Sequence, residues 1–152
     1  MKMPHVEPAR AEHLASLLAG LDQSRAEIAW SAIGMEPERV AREALEGSAA
    51  AWVWIAEDRV ACMFGVGQLQ VIGPAIGWML ATELVEKYRF TFVRHCRETL
   101  KNMLVLHPSI EAFVDIRFEK SVHWMKWMGF RVNEAPIPYL NTAFYRAQIG
   151  SK

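Results

Sequence analysis

The spacing of apolar residues changes period several times along this chain, and each change marks an element. Leu14, Leu17, Leu18 and Leu21 recur at three and four residues, the repeat of one helix face, after an extended opening that Pro4 and Pro8 confine to a sheet edge or an approach segment. Ser24, with Glu27 three residues on, makes a capping box for a second helix carrying Ile28 and Trp30 and stopping at Gly34. Pro37 suits the first turn of a third, Glu38 to Leu45. The period then drops to two. Ala50 to Ile55 sets Trp52 and Trp54 against Val53 and Ile55, the polar turn Glu57-Asp58-Arg59 sends the chain back through Val60 to Val66 and on to Ile72, and Gly73-Pro74 turns it into Ala75 to Ala81. Three antiparallel strands in succession are predicted. From Thr82 the period lengthens again: Phe92, Val93, Cys96, Leu100, Met103 and Leu104 share one face and Arg94, Arg97, Glu98 and Lys101 the other. This is the longest predicted helix, ending near His107-Pro108. Ile110 to Ile116 follows as a strand reached by a crossover, so it should run parallel to its new neighbour. Ser121 to Met128 is a short helix that Gly129 closes in a left-handed conformation. Phe130 to Val132 resumes as strand, Asn133 to Pro138 reads as a loop, and Thr142 to Gln148 is the last strand.

The class is therefore α/β, with a mixed and mostly antiparallel sheet of six or seven strands and helices on both faces. With 152 residues, 52% of them hydrophobic, the chain is expected to form one domain over residues 1–152 around one sizeable core. Lys and Arg balance Asp and Glu at 17 each, so no overall field draws it to nucleic acid or an anionic membrane. Cys62 and Cys96 sit in apolar periodic segments and read as free buried thiols in a reducing compartment. His5, His13, His95 and His107 show no metal-ligand spacing, and no metal is expected. No apolar run approaches the roughly 18 residues that span a bilayer.

A strand, a two-turn helix closed by Gly129-Phe130 and a returning strand near the end of such a chain resemble the final portion of the GNAT family of N-acetyltransferases. The family's usual form there is Asn-x-x-(Ala/Ser)-x-x-Phe-Tyr-x-x-x-Gly-Phe. This sequence keeps Ser121, places Trp124 at the Phe and Met125 at the Tyr, and has Phe118 where the Asn stands. The resemblance implies a sheet that parts two neighbouring strands beside the longest helix, leaving a V-shaped slot for acetyl coenzyme A. It assigns cofactor contact to Leu80, Ala81 and Thr82, to Lys87 and Arg89, and to Arg117, Phe118, Trp124 and Met125. The family's pyrophosphate loop reads (Gln/Arg)-x-x-Gly-x-(Gly/Ala). The counterpart here, Leu80 to Arg89, has no glycine and puts Glu83 and Glu86 in the first helical turn, where carboxylates complement the helix dipole themselves.

Acyl transfer needs a base for the amine proton and an acid for the departing thiolate. Met125 cannot donate. Tyr139, Tyr145 and Ser121, with His123, lie near that position in sequence and are the substitutes. Glu57, at the end of the second strand, is a candidate base that a hairpin turn also explains. Positioning the amine beside the thioester, with water carrying the proton, is a further route. Trp124 and Trp127 read as packing against Trp52, Trp54 and Trp78, or in part as a partner surface.

Trp52, Phe64-Gly-Val66, Gly77 to Thr82, Val114 to Arg117 and Trp124 to Phe130, in that order, are similar to a group of GNAT-like proteins of tailed bacteriophages that includes internal virion-protein homologues. That resemblance implies a phage-encoded protein in the host cytoplasm or carried on the virion. It acts either as an N-acyltransferase on an amine of phage or host origin, or as a catalytically silent scaffold that binds a phage or host partner or serves virion assembly.

Overall fold

The computed structural model describes residues 3–21, 36–67, 74–116, 119–139 and 142–150. In it, one sheet of seven strands has the order β1-β2-β3-β4-β5-β7-β6. The strands are β1 (His5–Pro8), β2 (Ala50–Ala56), β3 (Arg59–Gly67), β4 (Ala75–Ala81), β5 (Ser109–Asp115), β6 (Arg131–Tyr139) and β7 (Thr142–Gly150). The helices among the described residues are α1 (His13–Gly20), α2 (Pro37–Glu46), α3 (Leu84–Lys87), α4 (Arg89–Leu106) and α5 (Glu119–Trp127). Every neighbouring pair is antiparallel except β4 with β5, which the α4 crossover makes parallel. This is the mixed, mostly antiparallel α/β architecture the pattern predicts. The capping box at Ser24 and the strand extension through Ile72 lie outside the described residues.

Alternation along the strands sorts their side chains into two cores. Trp54, Phe64 and Val66 pack with Phe92 and Leu100 of α4 and Trp124 of α5. On the opposite face Val53 and Met63 meet Leu17 of α1 and Ala41 of α2. Trp54 presents its edge to Phe92 and donates its indole N–H to His95 Nδ1 at 3.0 Å, so a fully buried ring keeps its polar atom satisfied. Of the α5 pair, Trp124 is buried against Phe92, whereas Trp127 is 43% exposed.

The predicted long helix is in fact two. Thr82 starts α3 by accepting from Leu84 N on its Oγ1 and from Val85 N on its carbonyl; Tyr88 then leaves helical backbone at φ −116°, ψ 31°. The break has a tether: Lys87 Nζ and Tyr88 Oη both donate to Glu57 in the β2–β3 turn. That turn is a two-residue hairpin with Glu57 at φ 54° and Asp58 at φ 57°, the left-handed pair a right-twisted hairpin requires. Asn133 to Pro138 is not a loop but the middle of β6. As the outermost strand, β6 tolerates proline, and a register shift between Asn133 and Ile137 takes in Pro136, while Pro138 stands opposite Ala143.

Gly129 ends α5 as expected, at φ 103°. Phe130 N donates to Met125 O and Gly129 N to Lys126 O, each at 3.0 Å, a Schellman arrangement in which Phe130 and Met125 are both buried. Arg97 of α4 donates to Trp127 O and so locks the end of α5 onto the long helix.

Candidate active site

The paired positions of β4 and β5 are Ala75 with Ile110 and Ile76 with Glu111. From Gly77 onward the two strands part. Gly77 marks the vertex: a Cβ there would meet Ile110 Cγ2 at 3.1 Å, so the lack of a side chain lets the strands close at that point. Beyond it lies a cavity of about 430 Å³ that passes between the strands and is lined from both sides of the sheet. Val40 and Ala44 of α2 border one end; Cys96, Leu100, Met125 and Met128 of α4 and α5 border the other.

One wall of this slot is backbone. Thr82 N donates to Ala61 O at 2.8 Å, and the β3–β4 register places Leu80 opposite Met63 and Trp78 opposite Gly65. Hydrogen-bonded and non-hydrogen-bonded pairs alternate in an antiparallel ladder, so residues 82, 80 and 78 point their amides at β3. Met79 and Ala81 therefore point theirs the other way, into the slot. A β4 edge with its donors and acceptors turned into a cavity suits an extended ligand that carries amides of its own.

The slot brings together several residues singled out in the sequence. Leu80, Ala81, Ser121, Trp124 and Met125 all line it. Others go elsewhere. Thr82 is buried and spends its hydroxyl on Ala61 O and Leu84 N. Glu57 is held by Arg59, Lys87 and Tyr88, and those donors, Lys87 foremost, lower its pKa to about 2, so it is no base for an amine at neutral pH. Lys87, correspondingly, answers a carboxylate of its own chain. Tyr145 lies opposite Val114, on the α4 side of the sheet, and does not line the cavity. Tyr139 ends β6. Arg117 and Phe118 lie outside the described residues.

Glu83 and Glu86 belong to the α3 region rather than to the first turn of the long helix. The head of α4 carries Arg89 and no acidic residue in its first turn, which leaves that N-terminus electrostatically suited to an anion. Glu86 pairs instead with Lys120 at 3.6 Å, joining the segment after β4 to the helix after β5. Cys96 is neutral in the slot wall, because burial pushes its thiol up to about 12.

Sequence reasoning passed over most of the lining as site groups, Trp78, Phe113, Asp115 and Phe144 among it. Trp78 is fixed by a 2.6 Å hydrogen bond from its indole N–H to Ser48 Oγ and lies against Gly65, where a Cβ would stand 2.8 Å from Nε1. Asp115 is 6% exposed and accepts from Thr142 Oγ1 at 3.2 Å. A carboxylate ending an apolar strand was the one available signal for it. Among the described residues no group of three or more His, Cys, Asp or Glu could hold a metal ion, and no helix is long and apolar enough to cross a membrane.

Parted strands beside a long crossover helix define the GNAT acetyltransferase fold, and solved structures of that class superpose over nearly the whole chain. A candidate phosphinothricin N-acetyltransferase matches with TM-score 0.72 and 15% identity, covering 99% of each chain. A GNAT-family acetyltransferase from Streptococcus agalactiae matches with TM-score 0.65 and 14% identity over 98% of this chain and 96% of its own. A chimera of the spermidine N-acetyltransferase of Vibrio cholerae matches with TM-score 0.67 and 13% identity over the same shares. No family profile and no curated protein sequence matches the chain.

Proposed function

We propose that this chain is an N-acetyltransferase that moves an acetyl group from acetyl coenzyme A to a primary amine. The observation that carries the reading is the parting of β4 and β5 after Ile76, which leaves the Met79 and Ala81 backbone facing a cavity open through the sheet. Acetyl coenzyme A would supply an acyl group already activated as a thioester. Met79 and Ala81 would hold the amides of its arm, Leu80, Trp124 and Met125 would exclude water around it, and Arg89 at the head of α4 would meet the phosphates. With Met125 unable to give a proton, Ser121 is the polar α5 side chain on the slot, and catalysis rests mainly on holding the two reactants together.

The test combines binding and turnover. Acetyl coenzyme A at one hundred times its dissociation constant should stabilise the fold by roughly 2.7 kcal/mol, read as a rise in Tm, and thiol release should follow on adding an amine. A flat Tm at millimolar ligand would reject the reading and favour the silent scaffold. The motif order shared with the tailed-phage group extends the proposal to a phage-encoded protein of the host cytoplasm or the virion. Finding the coding sequence outside phage or prophage DNA would remove that extension.

A further inference from the structure

The depth of the slot can be followed level by level along the sheet. Ile76 pairs with Glu111, Glu111 with Gln148 and Gln148 with Arg131, so Phe130, one residue before Arg131, stands beside the vertex where β4 and β5 meet. The end of α4 reaches the same level, because Leu104 lies 3.0 Å from the place of a Cβ on Gly150, the partner of Ser109. An arm that enters from Arg89 and runs down the Ala81 and Met79 backbone therefore carries its thioester towards Ile110, Leu100, Met103, Met128 and Phe130. All five of these side chains are apolar. Four of the chain's eight methionines, Met79, Met103, Met125 and Met128, line this cavity, and an unbranched thioether repacks readily around ligands of differing shape. Leu100, Met103 and Met128 keep 8%, 6% and 7% exposure beneath the helices, as a cavity wall does, whereas Trp54 and Phe92 of the same core keep none.

We propose that the vertex end takes an acyl chain longer than acetyl, a straight chain of butyryl to hexanoyl length laid between α4 and α5. This rests on the acetyltransferase reading and names the donor class of the same site. Each methylene moved from water into such a wall is worth about fourfold in affinity. Volume sets the upper limit: a cavity of about 430 Å³ that also holds the arm has no room for a fatty chain. The amine is left the α1–α2 side. Ala112 and Val114 join the core beneath α4, so Phe113 between them faces the other way, and it is 46% exposed. In the reaction the nitrogen–carbon amide bond forms as the carbon–sulfur bond breaks, and the acyl chain moves with its carbonyl unchanged. The amine nitrogen gives up a proton to solvent, and the thiolate takes one back.

The test titrates the protein with coenzyme A and with its acetyl, butyryl, hexanoyl and decanoyl thioesters, reading Kd by calorimetry. Hexanoyl coenzyme A should bind about tenfold or more tighter than acetyl coenzyme A, and decanoyl should fall back. Met103→Phe and Met128→Phe, which fill the vertex, should each lower the hexanoyl-to-acetyl affinity ratio, and Met103→Ala should raise the decanoyl-to-acetyl ratio. A ratio taken within one variant is independent of how far the substitution destabilises the fold. Longer chains binding no tighter than acetyl in the wild type would overturn the proposal with the transferase reading intact. So would a gain that both Phe variants leave unchanged, since the chain would then lie elsewhere. If hexanoyl binds and acetyl does not, the acetyl donor is wrong and the proposal stands. If none of the five binds, the transferase reading fails and the proposal falls with it.

Discussion

Gly65 and Trp78 form a matched pair in the slot wall. The indole fits because position 65 has no side chain; a Cβ would stand 2.8 Å from Trp78 Nε1 and 2.9 Å from Ala50 O. Gly65→Ala should therefore cost about 1–3 kcal/mol in urea unfolding and displace Trp78 from Ser48. Met125 is the complementary case, a buried side chain at the position where the family resemblance puts an acid. Met125→Tyr should raise kcat for thiol release, by as much as roughly a hundredfold if proton supply limits the rate, with KM for the donor little changed. An unaltered kcat would mean that the thiolate draws its proton elsewhere. At this scale the sequence was partly legible: Leu80, Ala81, Ser121, Trp124 and Met125 do meet on one cavity. Asp115 and Phe113 escaped notice because they border the slot only where β5 has lost β4 as a neighbour, and the extent of that pairing is something periodicity along one strand cannot reveal.

The elements show where local pattern suffices and where a distant tether decides. Gly129 announced the end of α5, since a left-handed residue closing a short helix is a local requirement met within the helix's own last turn. The break at Tyr88 was not announced. It depends on Glu57, thirty-one residues earlier in the chain, gathering Lys87 and Tyr88. β6 was hidden for another reason: its two prolines argue against a strand unless the strand is known to lie at the edge. The Glu57 tether carries a pH signature. Its pKa in the fold lies below the ordinary 4.5, at about 2, so its contribution is complete above pH 4.5 and is lost as the pH falls towards 2. Glu57→Gln should lower stability at neutral pH and remove part of the fall between pH 4.5 and 2, as urea midpoints across that range would show. An unchanged acid limb would mean that the tether adds nothing. In the same turn, Asp58→Gly should stabilise by about 0.5–1 kcal/mol, because φ 57° penalises a residue with a Cβ.

For the whole molecule, the run of three antiparallel strands and the one parallel neighbour pair followed from alternation and a single crossover, whereas the place of β7 between β5 and β6 did not. What the pattern could not supply was how far β4 and β5 stay together, since an apolar strand reads the same beside a partner or beside a cavity. The proposed function rests on that separation. The most direct measurement is residue-resolved amide hydrogen exchange along β4 with and without saturating acetyl coenzyme A. Exchange should slow at Met79 and Ala81, whose amides face the slot, and change little at Leu80, whose amide already pairs with β3. Bound ligand that leaves Met79 and Ala81 unprotected would place the thioester arm somewhere other than between the strands.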